Sequence, residues 1–421
     1  MSEKATLPLA GYRVTDLGWV WAGPAVGQIL ADLGAEVIKV ESNKRLDLLR
    51  TMGRPVVDGR PVLGSRGVLD PDDEKELTPI FHNVNRNKLG IAADLQHPRA
   101  VALVKALIEK SDVVIENFAP GAVRRMGLDY ETLRARKPDL VMISMSAAGQ
   151  SGPLAETRAY APTLTSLGGM ESMVGYEGEG VQGMLTFGIS DPSAAVHGAL
   201  AVLAALYHRR RTGEGQYIDM SQLEATLALL GAPVMDYFMN ARVAGPQGNH
   251  HPLLAPCGNY PCRGADAWIS IGVATDEEWR GLCAALGAPE WAGDERFADG
   301  DGRQRHRAAL DHLIAARTAH YDKRALAVLL QRHGVAAAPV LSVEEGRDDA
   351  HLQARGLWAS CAHPMFGPGA VVACPWRFSD TAVAIRRHAP LLGQDNEYVY
   401  GKVLGLPGEE IERLVAAEIL Y

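Results

Sequence analysis

Apolar runs and amphipathic stretches succeed one another through the N-terminal half of the chain. Positions 13–17 read as a strand, a Gly23-Pro24 turn follows, and 25–33 carry helical spacing that stops at Gly34. A second strand is expected over 36–40. The stretch 42–80 is polar, charged and rich in Gly and Pro, which predicts a long loop or flap. Periodicity resumes with a strand over 90–93, a helix over 99–109, and strands over 113–116 and 140–145. Such alternation predicts a doubly wound α/β domain whose sheet is covered on both faces. No G-x-G-x-x-G fingerprint accompanies it.

Positions 194–210 and 222–230 have strong helical spacing. The composition then shifts: 245–263 is dense in Gly, Pro, His and Asn and reads as a linker or loop. A strand over 268–273 and helices over 277–286 and 308–320 suggest a smaller second domain. After about residue 340 short strands return, with a last helix near 409–417. The expected division is a large α/β domain from 1–225 and 340–421, with 226–339 as a small domain and its linkers.

The 421 residues are 47% apolar and 22% charged, ordinary for a globular protein, and carry a net charge of -8. That balance argues against nucleic acid as the main partner but leaves room for an anionic small molecule held by a local cluster of cations. No apolar run approaches the roughly 20 residues of a membrane span, and the first residues lack a secretory pattern. Five cysteines, an odd number, suit free thiols in a reducing cytoplasm. Cys257 and Cys262 form the only near pair, so no metal site is expected.

The candidate chemistry centres on Asp191, in Gly188-Ile189-Ser190-Asp191-Pro192 before a long apolar helix. Asp followed by Pro is a helix start, with the carboxylate as N-cap and the proline at the first helical position. The positive end of the helix dipole would keep that carboxylate ionised at neutral pH. An ionised carboxylate beside a thioester is also a nucleophile, and the two readings are compatible. Arg124, Arg125 and Arg158 are candidate phosphate grips or else solvated charge. Arg209-Arg210-Arg211 reads as the C-terminal complement of a helix dipole capped by Gly213, and His250-His251 as a solvated pair. Trp19 and Trp21 read as packing, although they sit at the end of the first strand, where α/β sheets bind ligands.

Several ordered segments together resemble the family III CoA-transferases, which include formyl-CoA and carnitine CoA-transferases. They are Ala22-Gly23-Pro24, Leu33 through Glu41, Asn85-Arg86-Asn87-Lys88, Glu116 through Gly121, Gly149 through Pro153, Gly188 through Pro192, Arg211 through Gln216 and Ala389 through Gly393. The resemblance implies a Rossmann-like large domain from both chain ends, a smaller inserted α+β domain and an interlocked dimer. It implies transfer of CoA from an acyl-CoA, with succinyl-CoA a common donor, to a carboxylic acid. Asp191 would be the nucleophile, passing through a mixed anhydride to an aspartyl-CoA thioester. Coenzyme A would be substrate, with no permanently bound cofactor. The implied CoA contacts are Val20, Ala22, Asn117, Phe118, Arg125, Met126 and Arg158, with Trp21 and Tyr160 in the substrate pocket. Ser42 stands where the family has an arginine. The 245–258 segment is the flap candidate, without the four-glycine run of formyl-CoA transferase. Two alternatives remain. The α-methylacyl-CoA racemases pair this Asp with a His, but Tyr160 occupies that position. Relatives of the benzylsuccinate CoA-transferase type pair unlike subunits, so a heteromer stands beside a homodimer.

Overall fold

A computed structural model describes residues 7–51, 56–57, 60–61, 75–76, 78–184, 188–365 and 367–421. The chain divides into two compact units, residues Met1–Met170, Leu185–Met235 and His351–Tyr421 in one, Glu171–Met184 and Asp236–Ala350 in the other.

The larger unit is built on six strands: β1 (Arg13–Asp16), β2 (Glu36–Glu41), β3 (Leu89–Ala92), β4 (Val113–Glu116), β5 (Val141–Ser146) and β6 (Tyr217–Ser221). All adjacent pairs are parallel, in the order β3-β2-β1-β4-β5-β6. This is the doubly wound order 3-2-1-4-5-6, whose switch point lies between β1 and β4. Its helices include α1 (Ala22–Asp32), α2 (Pro79–Asn85), α3 (Pro98–Glu109), α4 (Ala122–Arg125), α5 (Ala161–Leu167), the long α6 (Ser190–Thr212) and α7 (Gln222–Leu227), with a short turn of helix at Tyr130–Arg134. Val26 and Leu30 of α1 and Ala194 and Val202 of α6 bury one face of the sheet. Leu103 and Leu107 of α3 cover the other, with Val399, Tyr400 and Leu414 from the C-terminal segment. The covered faces explain why β4 and β5 read as continuous apolar runs.

The helices approach closely where side chains are small. A Cβ on Gly198 of α6 would meet Val26 of α1 at 3.0 Å, and one on Gly27 would meet the Asp16 carboxylate at 2.7 Å. At the end of α6, Gly213 takes φ +81 as expected of a C-terminal cap, and Arg209 pairs with Asp112 at 2.7 Å.

The 42–80 stretch, expected as one long loop, contains a short 3-10 turn at Leu48–Arg50, a hairpin of Val56–Val57 with Arg60–Pro61, and α2; its remaining calls lie partly outside the described residues. Its anchor is Arg50, fully buried, which donates to both oxygens of Glu41 (2.8 and 2.7 Å), to Glu76 (2.6 Å) and to the Pro390 carbonyl (3.1 Å), and lies over the Phe81 ring at 3.9 Å. A buried guanidinium needs that many acceptors to offset its lost hydration.

After α8 (Gly231–Asn240), the smaller unit carries an antiparallel sheet of β7 (Cys257–Pro261), β8 (Trp268–Gly272) and β9 (Ala336–Pro339), in the order β9-β8-β7. Helices α9 (Asp276–Ala285), α10 (Arg307–Thr318) and α11 (Lys323–Arg332) pack Trp279, Leu310 and Leu326 on Ile269 and Ile271. The 245–263 loop is thus part strand: β7 is an edge strand, where Pro261 withholds no needed ladder donor. In the larger unit the chain then adds a hairpin of Trp358–Ser360 with Ala370–Val372 and a last helix, α12 (Gly408–Ala416). No described helix is long and apolar enough to cross a membrane.

Candidate active site

The loop after β1 is held by buried charges. Asp16 accepts from the Gly18 amide (2.8 Å) and from Lys88 (2.7 Å), whose ammonium also donates to the Pro24 carbonyl and the Asn85 side chain. Lys39 donates to the Gly18 carbonyl (2.8 Å) and to Asp47 (3.0 Å). The other Asp47 oxygen accepts from the amides of Val20 (3.1 Å) and Leu49 (3.0 Å). All four charged side chains are fully buried. Burial pulls Lys88 down to about 8 against the pull of Asp16. Burial also opposes the charge on Lys39, but Asp47, Glu41 and Asp16 together hold it above the ordinary lysine value.

Asn117, at the end of β4, closes the switch point. Its side chain accepts from the Trp19 amide and donates to the Trp19 carbonyl, both at 2.7 Å. Between these clamps Val20 is held at φ 61, a left-handed conformation that costs a β-branched residue energy. Trp21 then starts α1.

A cavity of about 1090 Å³ opens over the carboxyl ends of β1, β2, β3 and β4. Trp19, Phe118 and Met126 are among its apolar walls, and Lys44, Arg45, Lys105, Arg125 and Arg136 bring cations. Trp19 meets Phe118 edge-on at 6.1 Å, and the Arg45 guanidinium lies over the Trp19 ring at 4.8 Å. Ser42 also lines this space. Of the expected CoA contacts, Phe118, Arg125 and Met126 are in the wall, whereas Val20, Ala22 and Asn117 frame the loop behind it. Arg158 is exposed before α5 and is not part of this wall. Lys44, Arg45, Lys105 and Arg136 escaped sequence reasoning, because isolated cations on separate elements carry no local signal.

Asp191 lies where α1, α5 and α6 come together. A Cβ on Gly188 would meet the Trp21 ring at 3.2 Å and Ala161 at 3.4 Å, and the Ser190 hydroxyl donates to the Ala161 carbonyl at 3.2 Å. Tyr160 precedes α5 and is 64% exposed. The expected N-cap role of Asp191 is corrected: α6 begins at Ser190 after Ile189 (φ -63, ψ -26), so Asp191 is the second helical residue and caps nothing. The helix starts earlier because Ile189 already has helical dihedrals and Pro192 still falls in the first turn, where its missing N–H is harmless. Asp191 also has no side-chain hydrogen bond or ion pair among the described residues, and burial raises it to about 6. That exceeds what the helix-dipole argument anticipated, because desolvation outweighs the dipole.

In the smaller unit a cavity of about 360 Å³ is lined by Tyr176, His250, Cys257, Tyr260 and Asp311, among others. His250, read as solvated, instead lies 3.2 Å from Asp311, which also accepts from the Tyr260 hydroxyl at 2.6 Å. The His250 contact fastens the 245–258 segment to α10, and the Tyr260 bond ties β7 to the same helix. No cluster of metal ligands occurs among the described residues.

The CoA-transferase family III model matches residues 9–396, nearly the entire chain. The chain belongs to CoA-transferase family III. Among its relatives, this transferase is 34% identical to the succinyl-CoA–D-citramalate CoA-transferase of Chloroflexus aurantiacus, covering 100% of both chains. It is 35% identical to the succinate–glutarate CoA-transferase of Agrobacterium fabrum, over 96% of this chain and 97% of that one. A crystal structure of a CAIB/BAIF family protein from Brucella suis superposes with a TM-score of 0.81 at 32% identity, covering 95% of this chain and 100% of that one. The doubly wound parallel sheet expected from the sequence is present, with Tyr217–Ser221 as a sixth strand the sequence reading did not foresee, and the fold matches that of the CAIB/BAIF family protein.

Proposed function

We propose that the transferase moves CoA from succinyl-CoA to a second carboxylic acid, with Asp191 as the covalent carrier. The observation that carries this reading is a half-buried carboxylate, raised to about 6 by desolvation and without a neutralising partner among the described residues, on a helix start three residues after Gly188, which lies against Trp21. An Asp191 oxygen attacks the thioester carbonyl carbon, the carbon–sulfur bond breaks, and CoA leaves as thiolate. The thiolate attacks the Asp191 carbonyl of the resulting anhydride, releasing succinate and leaving an aspartyl-CoA thioester. The acceptor carboxylate attacks that thioester, and the returning thiolate then cleaves the new anhydride on the acceptor side, restoring the free carboxylate. A poorly solvated carboxylate suits this role: it is more basic than a surface Asp yet still mostly ionised at pH 7. The CoA nucleotide would lie in the cationic cavity at the switch point, against Phe118, Arg125 and Met126. Val20, Ala22 and Asn117 would shape the path toward Asp191, with Trp21 and Tyr160 beside the acyl group. Arg158 would meet a phosphate if the loop before α5 closes.

The relatives' names support the donor, since citramalate and glutarate enzymes both act with succinyl-CoA or succinate. The large domain would take both chain ends and the small domain the insert. Val196, Leu200 and Tyr207 form an exposed apolar stripe on α6 at 62%, 66% and 64%, and α8 buries none of its residues. Unpartnered surfaces of this kind support an interlocked dimer, in a soluble cytoplasmic enzyme with no resident cofactor.

Incubation with succinyl-CoA followed by hydroxylamine and peptide mass spectrometry tests the mechanism. We expect modification at Asp191, and a loss of turnover of at least about 10³-fold in Asp191→Ala. Undiminished turnover in that variant would refute the covalent role. Exchange of the α-proton without acyl transfer would instead select the racemase reading, and activity appearing only with a co-purified related subunit would select the heteromer.

A further inference from the structure

Three histidines of the larger unit stack where three separate segments meet. His82 is on α2, His363 lies in the turn of the hairpin of Trp358–Ser360 with Ala370–Val372, and His388 opens the C-terminal stretch that runs beside β3. The His82 and His363 rings meet edge-on at 4.2 Å, and the His363 and His388 rings at 5.0 Å. His82 and His363 are buried and His388 is half-buried. The hydrogen bonds suit neutral rings. Nε2 of His82 donates to the Glu76 carbonyl at 2.8 Å, Nδ1 of His363 accepts from the Met365 amide at 3.2 Å, and Nδ1 of His388 donates to the Ala389 carbonyl at 2.6 Å. The charge that faces His82 and His363 is the Arg50 guanidinium, itself opposed by Glu41 and Glu76. Arg387, next to His388 in the chain, is paired with Asp395. A proton added to one ring is therefore resisted by desolvation, by Arg50 and by the next ring. Burial accordingly pulls His82 down to about 4 and His363 down to about 3, with Arg50 and the neighbouring imidazoles acting in the same direction.

The stack ties a weakly held element to a functional one. Among the described residues of 358–372, His363 alone is buried, so the hairpin's hold on the unit depends chiefly on this contact. His82 and His388 each adjoin a residue, Phe81 and Ala389, of the small apolar cluster on which Val20 and Trp21 pack. We propose that the three rings form an acid-sensitive latch: neutral, they hold the hairpin to α2 and to the C-terminal stretch, and on protonation they repel one another and release the hairpin while the sheet stays folded. The open form takes up protons near the ordinary histidine value of roughly 6.5, the closed form only well below it. The closed form is thus fully favoured above about 6.5 and loses its advantage as pH falls toward about 4. Release would withdraw support from Val20 and Trp21 and halt transfer reversibly; that consequence rests on the transferase reading, the release itself does not.

Hydrogen–deuterium exchange of the full-length protein, read by peptide mass spectrometry as protection factors at about pH 7.5 and about pH 5.5, tests the latch. With two protons taken up on opening, the hairpin's opening constant should rise about 100-fold between these values, while peptides over β4 and β5 keep their protection. His82→Gln retains a donor for the Glu76 carbonyl and should cut the rise to about tenfold. His82→Gln/His363→Asn, whose asparagine still accepts from the Met365 amide, should abolish it. Should the double variant fail to fold, the wild-type and single-variant readings decide alone. A hairpin equally protected at both pH values, a loss shared equally by β4 and β5, or an undiminished rise in His82→Gln would overturn the latch. Asp191→Asn should abolish transfer and leave the hairpin's response as it is, which separates acid loss through the carboxylate from acid release of the hairpin. A response that vanishes in Asp191→Asn would belong to the carboxylate and overturn the latch as well.

Discussion

Asp16, Asp47, Lys39 and Lys88 are buried as deeply as any charges in the larger unit, whereas Asp191, some distance along the chain, is half-buried. The first four are each answered by an opposite charge and by backbone groups, and the network holds one loop in place. Asp191 is answered by no described side chain, and burial alone moves it to about 6. Paired buried charges fix geometry, whereas an unpaired one stores free energy that chemistry can use. Both sit in one domain, so the first holds the scaffold against which the second reacts.

The comparison is broken most severely by depriving the network of one member. Lys88→Met leaves the Asp16 carboxylate buried without its ion-pair partner. Denaturant unfolding should show a loss of about 3–5 kcal/mol. The double variant Asp16→Asn/Lys88→Met should recover a substantial part of it, because the uncompensated charge is gone. A double variant no better than the single one would mean that the network contributes packing rather than charge balance.

The same operation on Asp191 should have the opposite sign. Its folded value of about 6 lies above the roughly 3.9 of an unfolded Asp. The native state therefore holds the proton more tightly, and this group's contribution to stability falls as pH rises from about 4 through about 6. Above that window the full penalty is present. Asp191→Asn removes it and should stabilise the protein by up to about 2 kcal/mol at pH 7.5, solvent screening included, with no gain below about pH 4. It should do so while abolishing transfer, as expected where a site is kept strained for function. Destabilisation at pH 7.5 would show that an unseen partner compensates the carboxylate.

Turnover sharpens the point. If ionised Asp191 is the nucleophile, kcat should climb about tenfold per pH unit below an apparent pKa near 6 and level off above it. An acid limb centred near 4 would place the carboxylate in water and end the argument from burial.

Much of the scaffold is legible along the chain because parallel strands buried on both faces leave unbroken apolar runs, as in Val113–Glu116 and Val141–Ser146. Edge strands leave weaker marks. In β6, Tyr217 is 40% exposed and buried positions are sparse, and β7 contains Gly258 and Pro261, both signals for a loop. Asp191 is conspicuous because Asp-Pro opens a helix, but the same signature misplaces it as the cap. Its missing partners are a property of three helices meeting, not of any one segment. Asp47 and Lys105 are illegible for the same reason. One acts through a loop after β2 and the other through a helix after β3, and only the strand order brings both to the switch point.

Val20 joins the two regions and gives the subtlest test. Its left-handed backbone costs about 1–3 kcal/mol, and the hydrogen bond its amide donates to Asp47, with the Asn117 clamp on Trp19, holds it there. Val20→Gly relieves that strain but adds about 0.5–1 kcal/mol of chain entropy to the unfolded state and gives up a side chain packed near Phe81. These terms nearly cancel, so stability should change by less than about 1 kcal/mol. The loop, however, gains freedom between its clamps, and Trp21 follows directly. The expected result is a KM for acyl-CoA raised several-fold with kcat reduced less, since binding must first order the loop. Unchanged kinetics together with a clear gain in stability would show that the strain at Val20 is incidental, and that the paired network steadies the fold without orienting the reactive carboxylate's surroundings.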